Sequence, residues 1–292
     1  MGDIPGSITN FYRLKVIKAY KAPLMGTLAI AKGVDLLPGT RTVTGDEVQY
    51  PEGKAKRGYR VETVPRESGE KIPKTVTVIE HTHGFSMHKK ELYAYARMGE
   101  SALNGTSAGN SGRLVAESLD DVIFNGDTNA QAKGIFADAS LTPYDVDSGK
   151  EWNTTALAPD QVIVEAITEL SGDGKYDGLP MKLCLGPAAY NNLLKRIPQT
   201  QATYMDFVAK LFPNGIKDIM KVARLGNDKG LLHYFGEDIA ERNIEQDIET
   251  YTNNPNPDKD NKIYWNVDTY QAIDVHKLDA FLPLTNLVDL TP

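Results

Sequence analysis

Residues 120–136 read DDVIFNGDTNAQAKGIF, and the fold turns on whether this stretch is a cluster of catalytic carboxylates or the end of a helix. Asp120 and Asp121 are neighbours, so on a helix they point about 100° apart and cannot face one another as acid and base. Asp127 follows Asn125-Gly126, a pair that supplies the left-handed position at which helices commonly stop. Upstream, Leu114, Val115, Leu119, Val122 and Ile123 recur at spacings of three and four. The stretch therefore reads as the last turns of a helix, its termination, and re-entry into a packed core at KGIF. Solvation or backbone hydrogen bonding is the expected role of the three acids, ahead of catalysis.

Working back from this helix, Gly99, Gly105, Gly109 and Gly112 divide a helical pattern into His88–Met98 and about Asn110–Phe124, with a loosened middle. Before it, residues 36–92 are rich in Gly, Pro, Thr and charge. Gly58–Val64 and Lys74–Glu80 are β-branched and flank the turn-prone PRESGEKIP, which predicts a long hairpin. So few large apolar side chains cannot stabilise a two-stranded ribbon alone, so it is expected to lie against the rest of the chain or a neighbouring subunit.

Working forward, APDQVIVEAITEL (158–170) has Pro159 in the first turn, Asp160 matching the helix dipole, and Val162, Ile163, Ala166, Ile167 and Leu170 on one face. The strand MKLCL (181–185) and the helix PAAYNNLLKRI (187–197) follow, predicting a mixed α/β unit. Strands are predicted at GLLHYF (230–235), KIYWNV (262–267) and QAIDVHKL (271–278), with the polar TNNPNPDKDN between the first two. The apolar end DAFLPLTNLVDL is expected to pack into the fold.

A chain of 292 residues, 41% hydrophobic and 24% charged, has enough apolar content for a sizeable core. Its longest apolar runs fall short of the roughly 20 residues of a membrane span, and the N-terminus does not read as a secretory signal. Net charge −7 with scattered Lys and Arg argues against extensive binding of nucleic-acid phosphates. A single cysteine, Cys184, excludes an internal disulfide and, inside LCL, suits a buried side chain better than a nucleophile.

Among chemical candidates, HTHGFSMH places His81 and His83 on one face of a strand with His88 close by, a weak metal signal lacking a completing carboxylate or cysteine. Ordinary strand-end histidines are the commoner case. SGDGKYDG lacks the Gly-Lys-Ser/Thr ending of a phosphate loop, and DKDNK lacks the glycine and terminal glutamate of a calcium loop. No nucleophile, base and orienting group form a set, and no cofactor is expected.

The order of elements is more specific than any motif: a short N-terminal segment, a charged hairpin, a strand into FSMHKKEL, a long helix ending ESLDDVIFNGD, then KGIF. This resembles the major capsid proteins of tailed viruses with the Hong Kong 97 type fold, and their relatives the encapsulins. Asp120, Asp121, Ile123, Phe124, Gly126, Gly134 and Ile135 match the family's helix-end pattern.

The resemblance implies an α+β fold with an N-terminal arm (1–37), an extended hairpin loop and leading strand (38–90), a peripheral domain with a long spine helix (91–150), an axial domain (151–270) and a return to the peripheral domain (271–292). It implies a non-enzymatic subunit that self-assembles into an icosahedral capsid around double-stranded DNA, as in a bacteriophage or archaeal virus. The virion capsid would assemble in the host cytoplasm, with scaffold, portal and decoration proteins as partners and no membrane. The alternatives are an encapsulin shell enclosing cargo enzymes and, less favoured, a metal-dependent enzyme using His81, His83 and His88. Arg57, Arg60, Glu62, Arg66, Glu67, Glu70, Lys71, Lys74, Asp120 and Asp121 are the expected inter-subunit contacts.

Overall fold

In the computed structural model, residues 6–21, 25–49, 70–146, 151–152, 159–172, 174–176, 178–253 and 261–289 are described. The chain opens with helix α1 (Gly6–Lys21), whose Ile8, Tyr12, Val16 and Tyr20 recur every four residues and are all buried. A short turn of helix α2 (Gly26–Ala29) leads to strand β1 (Ala31–Asp35). Strands β2 (Thr42–Gln49) and β3 (Glu70–Thr77) form an antiparallel hairpin, and β4 (Ile79–His88) runs into helix α3 (Lys89–Met98). The spine helix α4 (Thr106–Asn125) then crosses the molecule. Short strands β5 (Gly126–Asp127), β6 (Ala132–Lys133) and β7 (Tyr144–Asp145) complete the first half.

The second half contains helix α5 (Pro159–Ser171), strand β8 (Met181–Leu185), helices α6 (Pro187–Leu193) and α7 (Tyr204–Val208), and strands β9 (Ile219–Lys221) and β10 (Gly230–Tyr234). It ends with the long strands β11 (Ala240–Asn253) and β12 (Lys262–Val275), then β13 (Phe281–Thr285).

Two sheets carry two cores. The first sheet, ordered β1-β11-β12-β4, packs beneath α1 and α4, where Tyr12, Phe85 and Trp265 meet at ring separations of 5.3–5.9 Å. The second, ordered β7-β13-β10-β8-β9, packs against α5, α6 and α7 through Val162, Ile163, Leu183, Leu193 and Val208. Each fully buried aliphatic or aromatic side chain contributes about 1.5–3 kcal/mol, so the four core residues of α1 fasten it firmly to the spine.

Two of the four glycines read as loosening the spine are part of it. Gly109 and Gly112 lie within α4, and Gly112 is where α1 crosses: a Cβ there would sit 2.6 Å from the Val16 carbonyl oxygen. The helix ends where the sequence places its end, with Gly126 at φ 77° and Ile135 and Phe136 donating to the carbonyls of Ile123 and Phe124 at 3.0 Å.

Two expectations are corrected. Lys74–Glu80 is not one strand: β3 ends at Thr77 and β4 begins at Ile79, where the chain passes from the hairpin to the sheet. The described partner of β3 is Thr42–Gln49, while Gly58–Val64 lies outside the described residues. The two segments 262–267 and 271–278 form a single strand through Val275, paired along its length with the unforeseen β11. Strand β12 ends in the spine sheet, and β13 joins β10 in the other.

Candidate functional site

The three acids of the opening stretch part company. Asp120 is buried, and its Oδ1 accepts the Gly26 amide at 2.5 Å, tying α4 to the start of α2. Burial pushes its carboxyl up to about 6, against the opposing pull of that hydrogen bond and of Arg224. Asp121 is exposed and accepts from Asn125 Nδ2 at 2.7 Å, one helical turn on. Asp127 accepts from the Asn129 amide at 2.8 Å in a side-chain-closed turn. Asp120 also borders an open cleft of about 410 Å³ with Met25, Glu117, Lys221, Ala223 and Arg224.

The histidines are likewise given separate tasks. His81 and His83, on one face of β4, each use Nδ1 to reach a serine of the spine, Ser118 and Ser111, both at 2.9 Å. Burial holds the His81 imidazole down at about 4, so it is neutral above that pH. His88 stands at the far end of the strand and caps α3, accepting the Lys90 amide at 3.1 Å. Seven residues of extended chain, at roughly 3.3 Å each, separate His81 from His88.

The hairpin presents the other candidate surface. Val76 is fully buried at its root, the Val78 amide donates to the Arg41 carbonyl at 2.9 Å, and the Thr77 amide to that of Ala130 at 3.1 Å. Lys74 donates to Asp274 Oδ1 at 2.6 Å and to the Val275 carbonyl at 2.8 Å. Beyond that root, β2 and β3 pair only with one another among the described residues. Glu70 and Lys71 pair with Gln49 and Val48 through the backbone, whereas Arg57, Arg60, Glu62, Arg66 and Glu67 lie outside the described residues.

Sequence reasoning missed an apolar surface on the second unit. Leu194, Phe207, Leu211 and Ile216 are each 38–54% exposed around the end of α7. The signal was present in YMDFVAKLF, where Met205 and Val208 fill one helical face and Phe207 and Leu211 are left for another.

Residues 39–250 match the Linocin M18 family, described as encapsulating protein for peroxidase. No curated protein matches the sequence. Among solved structures, a virus-like particle from Pyrococcus furiosus shares 12% identity over 95% of this chain and 99% of its own, with a TM-score of 0.67. The capsid of Myoviridae phage XM1 shares 13% identity over 91% and 92% of the two chains, with a TM-score of 0.62. The capsid of a native GTA particle shares 9% identity over 91% and 97%, with a TM-score of 0.60. The fold is thus the Hong Kong 97 type that the order of elements implied.

Proposed function

The chain belongs to the family described as encapsulating protein for peroxidase, and from that premise we propose that it is the shell subunit of a closed icosahedral compartment enclosing protein cargo. It is a shell-forming protein. The observation that carries the narrower reading is the family match, which runs from the hairpin through the spine helix into β11. A ribbon with no third strand among the described residues gains stability by lying on a neighbour, and a closed shell repeats that contact at every subunit. The subunit itself is not an enzyme on this reading, the acids Asp120, Asp121 and Asp127 and the histidines His81, His83 and His88 each having a separate structural partner.

A viral capsid around double-stranded DNA is the second reading, favoured by the likeness to the phage XM1 capsid over nine-tenths of both chains. Scaffold, portal and decoration partners, and assembly in a host cytoplasm, belong to that reading. Expression of the full chain in its native cell, followed by gel filtration, negative-stain microscopy, nuclease treatment and mass spectrometry of the contents, separates the two. Closed particles holding a co-purifying protein and no protected DNA support the compartment. Nuclease-protected double-stranded DNA supports the capsid, and a monomer or small oligomer from that cell overturns both.

A further inference from the structure

Where the hairpin leaves the body of the protein, Glu241, Asp274 and His276 converge. Glu241 on β11 and Asp274 on β12 are direct cross-strand partners, so their side chains share one face, and His276, two residues beyond Asp274, returns to it. His276 Nε2 lies 3.7 Å from Glu241 Oε1, and its Nδ1 lies 3.8 Å from Asp274 Oδ2. One ligand atom from each of the three residues falls within 4.8 Å of the others. Asp274 is almost fully buried, while Glu241 and His276 are partly accessible.

We propose that Glu241, Asp274 and His276 form a binding site for a divalent transition-metal ion such as Zn²⁺. Two carboxylates directly opposite each other repel. Lys74 offsets one of them by bonding Asp274 Oδ1, which leaves Oδ2 turned toward the imidazole and the pair one negative charge in excess. The 3.7 and 3.8 Å separations run to opposite nitrogens of the imidazole, and a metal takes only one of them; with one donor atom per residue the three lie within 4.8 Å of one another, so side-chain rotation must bring them to the roughly 3.4 Å spacing of ligands about 2.0–2.1 Å from a tetrahedral metal. The supporting shell is also present: Lys74 orients Asp274, and Asn243 Nδ2 donates to Glu241 Oε1 at 3.0 Å. β1 contributes by having glycine beneath the site, since a Cβ at Gly33 would come within 2.8 Å of Glu241 Oε2. Three protein ligands leave a fourth position open to water or to an exogenous donor.

The test uses the untagged full chain, stripped with EDTA and titrated with Co²⁺ at pH 7.5. Wild type is expected to bind one ion per chain with the visible absorption of a low-coordinate cobalt site, and Zn²⁺ to bleach it. His276→Ala and Glu241→Gln should each weaken binding by more than about tenfold, the smallest loss usual even for a residue one step from a metal. His83→Ala should bind as wild type, which separates this site from the histidines of β4. Stoichiometry well below one ion per chain, or unchanged binding in a folded His276→Ala or Glu241→Gln protein, overturns the assignment.

Discussion

At the scale of single residues, Asp120 shows how a buried group carries a pH dependence. Its carboxyl is raised from 3.8 to about 6, so between those values the folded chain keeps a proton that the unfolded chain releases. Stability from this group therefore falls as pH rises through that window. The full cost of ionisation, about 3 kcal/mol at most, persists above it. Asp120→Asn keeps an oxygen for the Gly26 amide and cannot ionise. Its thermal midpoint should exceed that of wild type at pH 8 and converge with it near pH 4; a wild-type profile across that range would show the charge to be unimportant. Cys184 gives a second expectation. Fully buried in β8 with its thiol pushed up to about 12 by burial, it should resist iodoacetamide at pH 8 until denaturant is added. Labelling of the native chain at the rate of a free thiol would contradict that placement. The helix end around Asp120 was legible because termination is local chemistry. Its bond to Gly26 was not, because 94 residues separate the partners.

At the scale of elements, close packing competes with helix propensity on the spine. Alanine is better than glycine inside a helix by about 1 kcal/mol, which favours substitution at any glycine with room. At Gly109 the nearest atom to an added Cβ is Ala19 Cβ at 3.9 Å, ordinary contact, so Gly109→Ala should stabilise by up to about 1 kcal/mol. At Gly112 the obstacle is the Val16 backbone at 2.6 Å, and Gly112→Ala should destabilise by about 1–3 kcal/mol as α1 is forced away. Denaturant midpoints of the two variants should move in opposite directions, and a shared sign would mean that α1 does not rest on Gly112. Pattern reading succeeded where one face is buried, as in α4 and α5, and failed at β11. That strand, AERNIEQDIETYTN, is largely polar, and register shifts between Ile244 and Glu249 break the alternation that would reveal it. β12 was divided for a related reason: its middle buries Asp268, Thr269 and Gln271, which find Thr82, Tyr251, the Gln246 carbonyl and Tyr20 as partners. The every-fourth-residue series from Ile8 to Tyr20 would have revealed α1 had the N-terminal segment not been read as an arm.

At the scale of the whole molecule, the hairpin separates folding from assembly. Its root is fixed by Val76 and by the Lys74–Asp274 pair, and neither depends on the strands beyond Gly45 and Lys74, which are themselves cross-strand partners. Replacing residues 46–73 with Asn-Gly closes the ribbon at that pair through a turn suited to two-residue hairpins. The residues of the spine core, of both sheets and of the exposed surface around Phe207 all lie outside the excised segment. The shortened chain should keep the circular dichroism expected for the remaining elements and a cooperative thermal transition, yet elute as a small species where the full chain forms shells. If it still closes into particles, the hairpin is not the contact that holds neighbours together, and the apolar surface of Leu194, Phe207, Leu211 and Ile216 becomes the leading interface. If it fails to fold, the ribbon contributes to the stability of its own subunit, which a sheet with no third strand among the described residues gives little physical reason to expect.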